Sequence, residues 1–303
     1  MPVSLCGAVH HQLVLDSIQH LSLFLNHVGL PISVQIVSMN ISTNRPQIGL
    51  ALGSGGSRGL AHIGVIKALE EAGIPVDYIA GSSIGAMIGG VYAIHKDITL
   101  IEKALLSVGW KKALSLIDVS VKQGLIRGSK IEKIIQSQVG SVNMEKLMIP
   151  TTIVATDLMT GKPVYFNQGD LTKAIRASIS VPLVFRPVTY HGQILADGGL
   201  SMPVPVKAAR DMGADIVIAV NIEGDLFDYR RVSKPGFMSI ALTSIDALRY
   251  NLADREAGDA DVVITIHSRS GKLIDEVAWD TKKLISVGER YTKAALPKIR
   301  RLI

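Results

Sequence analysis

Short apolar runs alternate with stretches of helical periodicity over most of this 303-residue chain. Gln47–Leu52, "QIGLAL", is the first convincing strand. After a glycine-rich loop, apolar Leu60, Ile63, Val65, Ile66 and Leu69 recur at roughly helical spacing, which predicts a helix over about Gly59–Ala72. Gly73 stops it, with Pro75 just beyond. "VDYIA", Val76–Ala80, reads as a short buried strand, and a second sharp turn then enters a helix over Ile84–Ile94. Strand–helix–strand–helix is the opening of a parallel sheet covered by helices.

Residues 97–148 read as mostly helical, "GSKIEKIIQSQVG" most clearly. Strands resume at Ile149–Asp157, with "KPVYFN" as a hairpin partner. "DLTKAIRAS" is a helix with Asp170 as its N-cap. "PVTYHGQILAD" forms a hairpin across His191-Gly192, "PVKAARDMG" is helical, and Ala214–Ile222 is a central strand. The polar stretch Glu223–Gly236 reads as a mobile loop, followed by a helix, the strand "DVVITIH" and a C-terminal helix. With no repeat, low-complexity segment or linker, a single domain over 46–303 is the economical reading.

Residues 1–45 form an N-terminal extension to that domain. Leu13–Ile32 is its most apolar part, but Asp16, two histidines and Pro31 interrupt it. It falls short of the ~20 apolar residues of a membrane span and lacks the basic start and cleavage site of a signal peptide. Three readings stay open: a membrane-surface helix, a packed N-terminal helix, or an extension outside the native protein. The last is slightly favoured, because Met39 lies eight residues before the first strand.

Composition narrows the class. Apolar residues make up 48% and charged ones 19%, which is globular and not disordered. Cys6 is the single cysteine, so no intrachain disulfide forms, in keeping with a reducing, cytoplasmic setting. The formal charge of +6 either marks a solvated surface or favours an anionic membrane. No zinc finger or RNA-binding signature accompanies it, so nucleic acid is not an expected partner.

The chemistry sits in two glycine-rich turns. Gly81-Ser82-Ser83-Ile84-Gly85 is a G-x-S-x-G between a strand and a helix. Such a turn lifts Ser83 clear of the sheet and aims a helix N-terminus at developing negative charge. Nucleophile and structural turn both remain open. Ser82 is the weaker candidate, because only Ser83 is centred between the glycines.

Gly53–Gly59, "GSGGSRG", offers backbone N–H groups to an anion. The P-loop pattern is absent, and the dinucleotide fingerprint would need glycine where Arg58 stands. Asp77 is only loosely placed as a ribose-binding acid. An oxyanion hole needs two donors near a nucleophile, which Gly55, Gly56 and Ser57 can supply. Arg58 braces the loop, holds a carboxylate, or is solvated.

A serine nucleophile needs a base. His267 ends a strand, so a triad stays open, while His62 and His95 lie on helices as packing or surface residues. Asp197 in "LADGGL" is the better candidate, since Gly198-Gly199 permit close backbone approach, although Asp-Gly-Gly is also a plain turn.

Together, Ser54–Gly59, Gly81–Gly85, "AIRASISVPLVFRPV" at 174–188 and Asp197-Gly198-Gly199 resemble the patatin-like phospholipase family, its small bacterial members most closely, over roughly residues 46–222. The resemblance implies a three-layer α/β/α fold with a mainly parallel sheet. It implies a Ser–Asp dyad of Ser83 as nucleophile and Asp197 as base. Gly55, Gly56 and Ser57 would form the oxyanion hole, supported by Arg58, Gly59, Gly81, Gly85, Gly198 and Gly199. Esters of phospholipids, lysophospholipids or neutral lipids are the implied substrates, with transient peripheral membrane contact and neither metal nor other cofactor. One departure stands out: the family's loop often reads G-G-G-x-[RK]-G, and Ser54 occupies its first glycine. A lipid acyltransferase sharing the acyl-serine, and a non-catalytic lipid-binding regulator, are the alternatives.

Overall fold

Three strands are buried at every position: Ile48–Leu52 (β1), Thr151–Asp157 (β3) and Ile216–Asn221 (β7). Continuous burial is what a strand shows when helices cover both faces of its sheet. The computed structural model describes residues 45–106, 132–133, 135–137, 140–223, 236–267 and 281–303. The expected extension 1–45 lies outside these except for Arg45, as do 107–131, 134 and 138–139 of the helical stretch expected over 97–148.

The remaining strands are Tyr78–Ser82 (β2), Pro163–Phe166 (β4), Val188–Tyr190 (β5), Gln193–Asp197 (β6) and Val262–Thr265 (β8). Pairing is parallel along β3-β2-β1-β7-β8, while β4 and β6 run antiparallel to β3 and β5 antiparallel to β6. The helices are Ala61–Glu71 (α1), Ile84–His95 (α2), Ile98–Leu106 (α3), Leu171–Ser178 (α4), Val206–Asp211 (α5), Phe237–Ala257 (α6) and Thr281–Ile299 (α7).

Alternation along the strands separates two cores. Leu50, Leu52, Ile79, Ile153 and Ile218 face large aliphatics of α1, α2, α4 and α7. Ala51, Ala80, Val154, Val217 and Ala219 face Val206 and Ala209 of α5 and Ala253 of α6. The two faces give the expected α/β/α layering. Among the described residues no helix is long and apolar enough to cross a membrane.

Three differences from the hydropathy reading bear on the site. β2 begins at Tyr78 and runs through Gly81-Ser82, which carry no apolar signal but pair in register with Ile153 and Val154. Its expected first residues precede the strand, where the Asp77 carboxylate takes the Arg45 guanidinium at 2.7 Å. A tight 3₁₀ turn over Gly56–Leu60 precedes α1. Glu223, expected in a mobile loop, is fully buried. The rest of that loop, 224–235, lies outside the described residues. The Asp170 cap is as expected, its carboxylate accepting from Lys173 N at 3.0 Å.

Helices α1 and α7 meet backbone to backbone: a β-carbon at Gly288 would lie 2.0 Å from the carbonyl oxygen of Ala61. Since neither backbone can yield cheaply, Gly288→Ala is expected to destabilise the protein by about 1–3 kcal/mol. A lower urea midpoint at unchanged m-value checks this.

Candidate active site

Strand register assembles the site. Val154 of β3 faces Tyr165 of β4 on one side and Ser82 of β2 on the other. Its neighbour Ala155 faces Val164 of β4 and Asp197 of β6. So β2 and β6 share one edge of β3 and meet end to end. The chain must turn away on both sides of that junction, and Ser83 and Asp197 sit on the two turns.

The Ser83 hydroxyl donates to Asp197 Oδ2 at 2.5 Å. Ser83 adopts φ 54°, ψ −120° between β2 and α2, a conformation that costs a non-glycine residue about 1–3 kcal/mol. Its backbone is anchored: Ser83 N–H donates to Ser178 Oγ at 2.8 Å, and that hydroxyl donates to Val154 O at 2.5 Å. A β-carbon at Gly85 would lie 2.1 Å from Leu52 O, and one at Gly81 2.6 Å from Ala86 Cα, the crowding expected of a strained strand-to-helix elbow. The N-terminus of α2 begins one residue after Ser83 and adds partial positive charge there.

Asp197 is buried. Its Oδ1 accepts from Gly199 N at 2.8 Å, and its own backbone is held by Ser180 O at 3.0 Å and by the Thr156 hydroxyl at 2.8 Å. Gly198 fits because a β-carbon there would overlap Val154 O. Burial pushes the Asp197 carboxyl up to about 6, against the Ser83 hydrogen bond, the Arg249 charge and the Gly199 amide, with Glu223 reinforcing the rise. The three histidines after Ser83 lie elsewhere: His267 follows β8, three strands from β2, His191 tops the β5–β6 turn, and His95 ends α2 at its far end from Ser83.

The other glycine turn lies beside this pair because β1 and β2 align Leu52 with Gly81. Gly55 (φ 151°) and Gly56 (φ 61°) use backbone that a side chain rarely tolerates. Among the described residues nothing accepts a hydrogen bond from either N–H, and the space beside Gly56 Cα is open to 4 Å. Ser57 lies in the 3₁₀ turn that follows. Gly59 sits where a β-carbon would overlap Ile84, so the turn packs directly on the first residue of α2.

Arg58 both braces the loop and faces a carboxylate. Its Nε donates to Gly55 O at 3.3 Å, and its Nη2 lies 3.5 Å from Glu223 Oε2. Ser54 gives the departure from the family pattern a purpose: its hydroxyl donates to Glu223 Oε1 at 3.0 Å. His62 is fully buried beneath the loop, with Nε2 2.8 Å from Gly53 O. Burial lowers its pKa to about 4 despite that hydrogen bond, so at neutral pH the ring is neutral and its Nε2–H donates to the carbonyl.

Ser178, Thr156, Glu223 and Arg249 escaped the sequence reading. Ser178 lies inside the quoted 174–188 stretch, but nothing local marks its hydroxyl as the support of the Ser83 amide. Glu223 and Arg249 carry no motif at all.

The sequence model of the Patatin-like phospholipase family matches residues 50–210, and the chain belongs to that family. An NTE family protein of Mycobacterium tuberculosis is 44% identical over 194 residues, 64% of this chain and 54% of that protein. Lysophospholipase nte1 of Emericella nidulans is 36% identical over 181 residues, 58% of this chain and 12% of that one. The chain thus spans about half the length of its mycobacterial relative and a small part of the fungal one. The crystal structure of VipD from Legionella pneumophila overlays with a TM-score of 0.47 at 13% identity, covering 84% of this chain and 67% of that chain.

The buried acid makes a prediction about stability. An aspartate raised from its usual value near 4 to about 6 binds its proton more tightly folded than unfolded. Its contribution is full below about pH 4 and is lost as pH rises through 6. Asp197→Asn should therefore stabilise the fold by about 2–3 kcal/mol at pH 8, and by less at pH 5. Urea titrations at the two pH values measure the difference.

Proposed function

We propose that this protein is a serine lipid acyl hydrolase. It cleaves carboxylic esters of phospholipids, lysophospholipids or related lipids through an acyl-enzyme on Ser83. The observation that carries this reading is the hydrogen bond from the Ser83 hydroxyl, on a strained elbow, to the buried carboxylate of Asp197. Membership of the patatin-like family supports it, as does the name lysophospholipase borne by the fungal relative.

In this mechanism the ester carbonyl sits against the amides of Gly55, Gly56 and Ser57. Ser83 Oγ attacks the carbonyl carbon and Asp197 takes its proton. The negative oxygen of the tetrahedral intermediate is held by the loop amides and the N-terminus of α2. The carbon–oxygen bond to the leaving alcohol breaks, and the proton passes from Asp197 to that alcohol, a lysolipid or a glycerol compound. Water then attacks the acyl-serine, again with Asp197 as base, releasing fatty acid and restoring the serine. A carboxylate is an ordinary base at best. Burial that raises it to about 6 brings it closer to the pH at which it must work.

Residues 46–303 act in this reading as one catalytic domain in the cytoplasm, meeting its substrate at a membrane surface. The water step separates it from an acyltransferase, in which a second alcohol takes the acyl group.

Hydrolysis of p-nitrophenyl butyrate by wild type, Ser83→Ala and Asp197→Asn tests the proposal, with folding checked for each. Both substitutions are expected to lower kcat/KM by at least ~10³-fold. In the wild type, kcat/KM should rise with pH through an acid limb near 6, as Asp197 loses its proton. Full activity in Ser83→Ala would overturn the assignment. So would a wild type inert both to this ester and to a fluorophosphonate probe. Lysophosphatidylcholine with and without added glycerol then shows whether free fatty acid or a new ester is formed.

A further inference from the structure

Glu223 follows β7 and is a fully buried carboxylate outside the family-matched segment. Its Oε1 accepts from the Ser54 hydroxyl at 3.0 Å and lies 2.6 Å from Arg249 Nε. Its Oε2 faces Arg249 Nη2 at 3.3 Å and Arg58 Nη2 at 3.5 Å. Arg249 comes from α6 and also reaches Asp246 Oδ1 at 3.0 Å. Its stem lies against the other turn of the site: a β-carbon on Gly199 would be 3.0 Å from Arg249 Cδ.

A buried ion pair is a poor device for stability alone, because desolvation cancels much of the attraction. This one touches both halves of the site. Ser54 and Arg58 tie it to the glycine loop, and Arg249 packs on the Asp197–Gly199 turn. We propose that Glu223 and Arg249 are positioning residues for the ester hydrolysis, fixing the loop donors and placing an anion and a cation behind the turn that carries the Asp197 base. The inference rests on the Ser83–Asp197 reading above.

Among the described residues, few groups face Asp197. The Ser83 hydroxyl and Gly199 N–H touch it directly. Arg249 and Glu223 act on it from α6 and from the end of β7, with opposite sign: the guanidinium favours the carboxylate and Glu223 disfavours it. Asp246 lies 3.0 Å from Arg249 Nη2, and Arg58 Nη2 lies 3.5 Å from Glu223 Oε2.

The opposite signs supply a test that a merely structural brace would fail. The pH dependence of kcat/KM for p-nitrophenyl butyrate is measured for wild type, Glu223→Gln, Arg249→Gln and Arg249→Lys, with circular dichroism and thermal melts for each. Arg249→Gln should move the acid limb up by roughly one pH unit, and Glu223→Gln should move it down. Arg249→Lys, which keeps the charge, should leave the limb near the wild-type position. Each glutamine variant should lose at least ~10-fold in plateau kcat with KM changed less than about threefold, because loop donors used in the transition state are misplaced. Acid limbs that coincide in all folded variants overturn the inference, even if melting temperatures fall. Should Arg249→Gln fail to fold, the downward shift in Glu223→Gln decides alone. Activity of wild type and its loss in Ser83→Ala keep the underlying reading intact in either case, whereas a wild type inert both to this ester and to a fluorophosphonate probe sinks both.

Discussion

The edge of β3 is the constraint around which the molecule is arranged. One strand edge can hold one neighbour at each position, and here β2 occupies the first half and β6 the second. Two chains arriving from opposite directions must both leave the sheet where they meet. Leaving abruptly demands unusual backbone at Ser83 and small residues at Gly81, Gly85 and Gly198. The strain is local, and the support comes from Ser178, whose hydroxyl joins the Ser83 amide to the Val154 carbonyl across the same junction. A hydroxyl and a carboxylate are thereby pressed into a 2.5 Å hydrogen bond in a place that water barely reaches.

Charge is handled around that junction with the same economy. Asp197 is buried, which makes it more basic and makes its ionised form expensive. Arg249 offsets part of that expense, and Glu223 in turn offsets Arg249. Beneath the neighbouring loop His62 stays neutral, so its ring orders the Gly53 carbonyl without adding a second positive charge. The sheet's two faces allow this crowding. Large aliphatics fill the side of α1, α2, α4 and α7, while alanines and valines on the other side let α5 and α6 approach closely, and α6 carries Arg249.

Much of the fold was legible because it rests on local pattern. β1 and β7 announce themselves as continuous apolar runs, the Asp170 cap lies three residues from the amide it accepts, and the hairpin across His191-Gly192 has its turn in the sequence. Hydropathy places β2 two residues early because Gly81 and Ser82 are held in the sheet by β3 and not by their own preference. Glu223 reads as loop because a charged residue in a polar stretch gives no hint that two arginines await it.

Sequence by itself nominated Ser83, Asp197 and the Gly55–Ser57 turn only through motifs shared with a family, and determined the α/β class and the order of the elements from local pattern. Such signals survive in a linear reading because capping, periodicity and tight turns act within a few residues. Only the tertiary structure decided that Ser83 and Asp197, 114 positions apart, touch directly without a histidine between them. It alone joined Ser54 to Glu223 across 169 positions. Those meetings depend on which strands share an edge and which helix packs behind them, and strand register is fixed by the whole core at once.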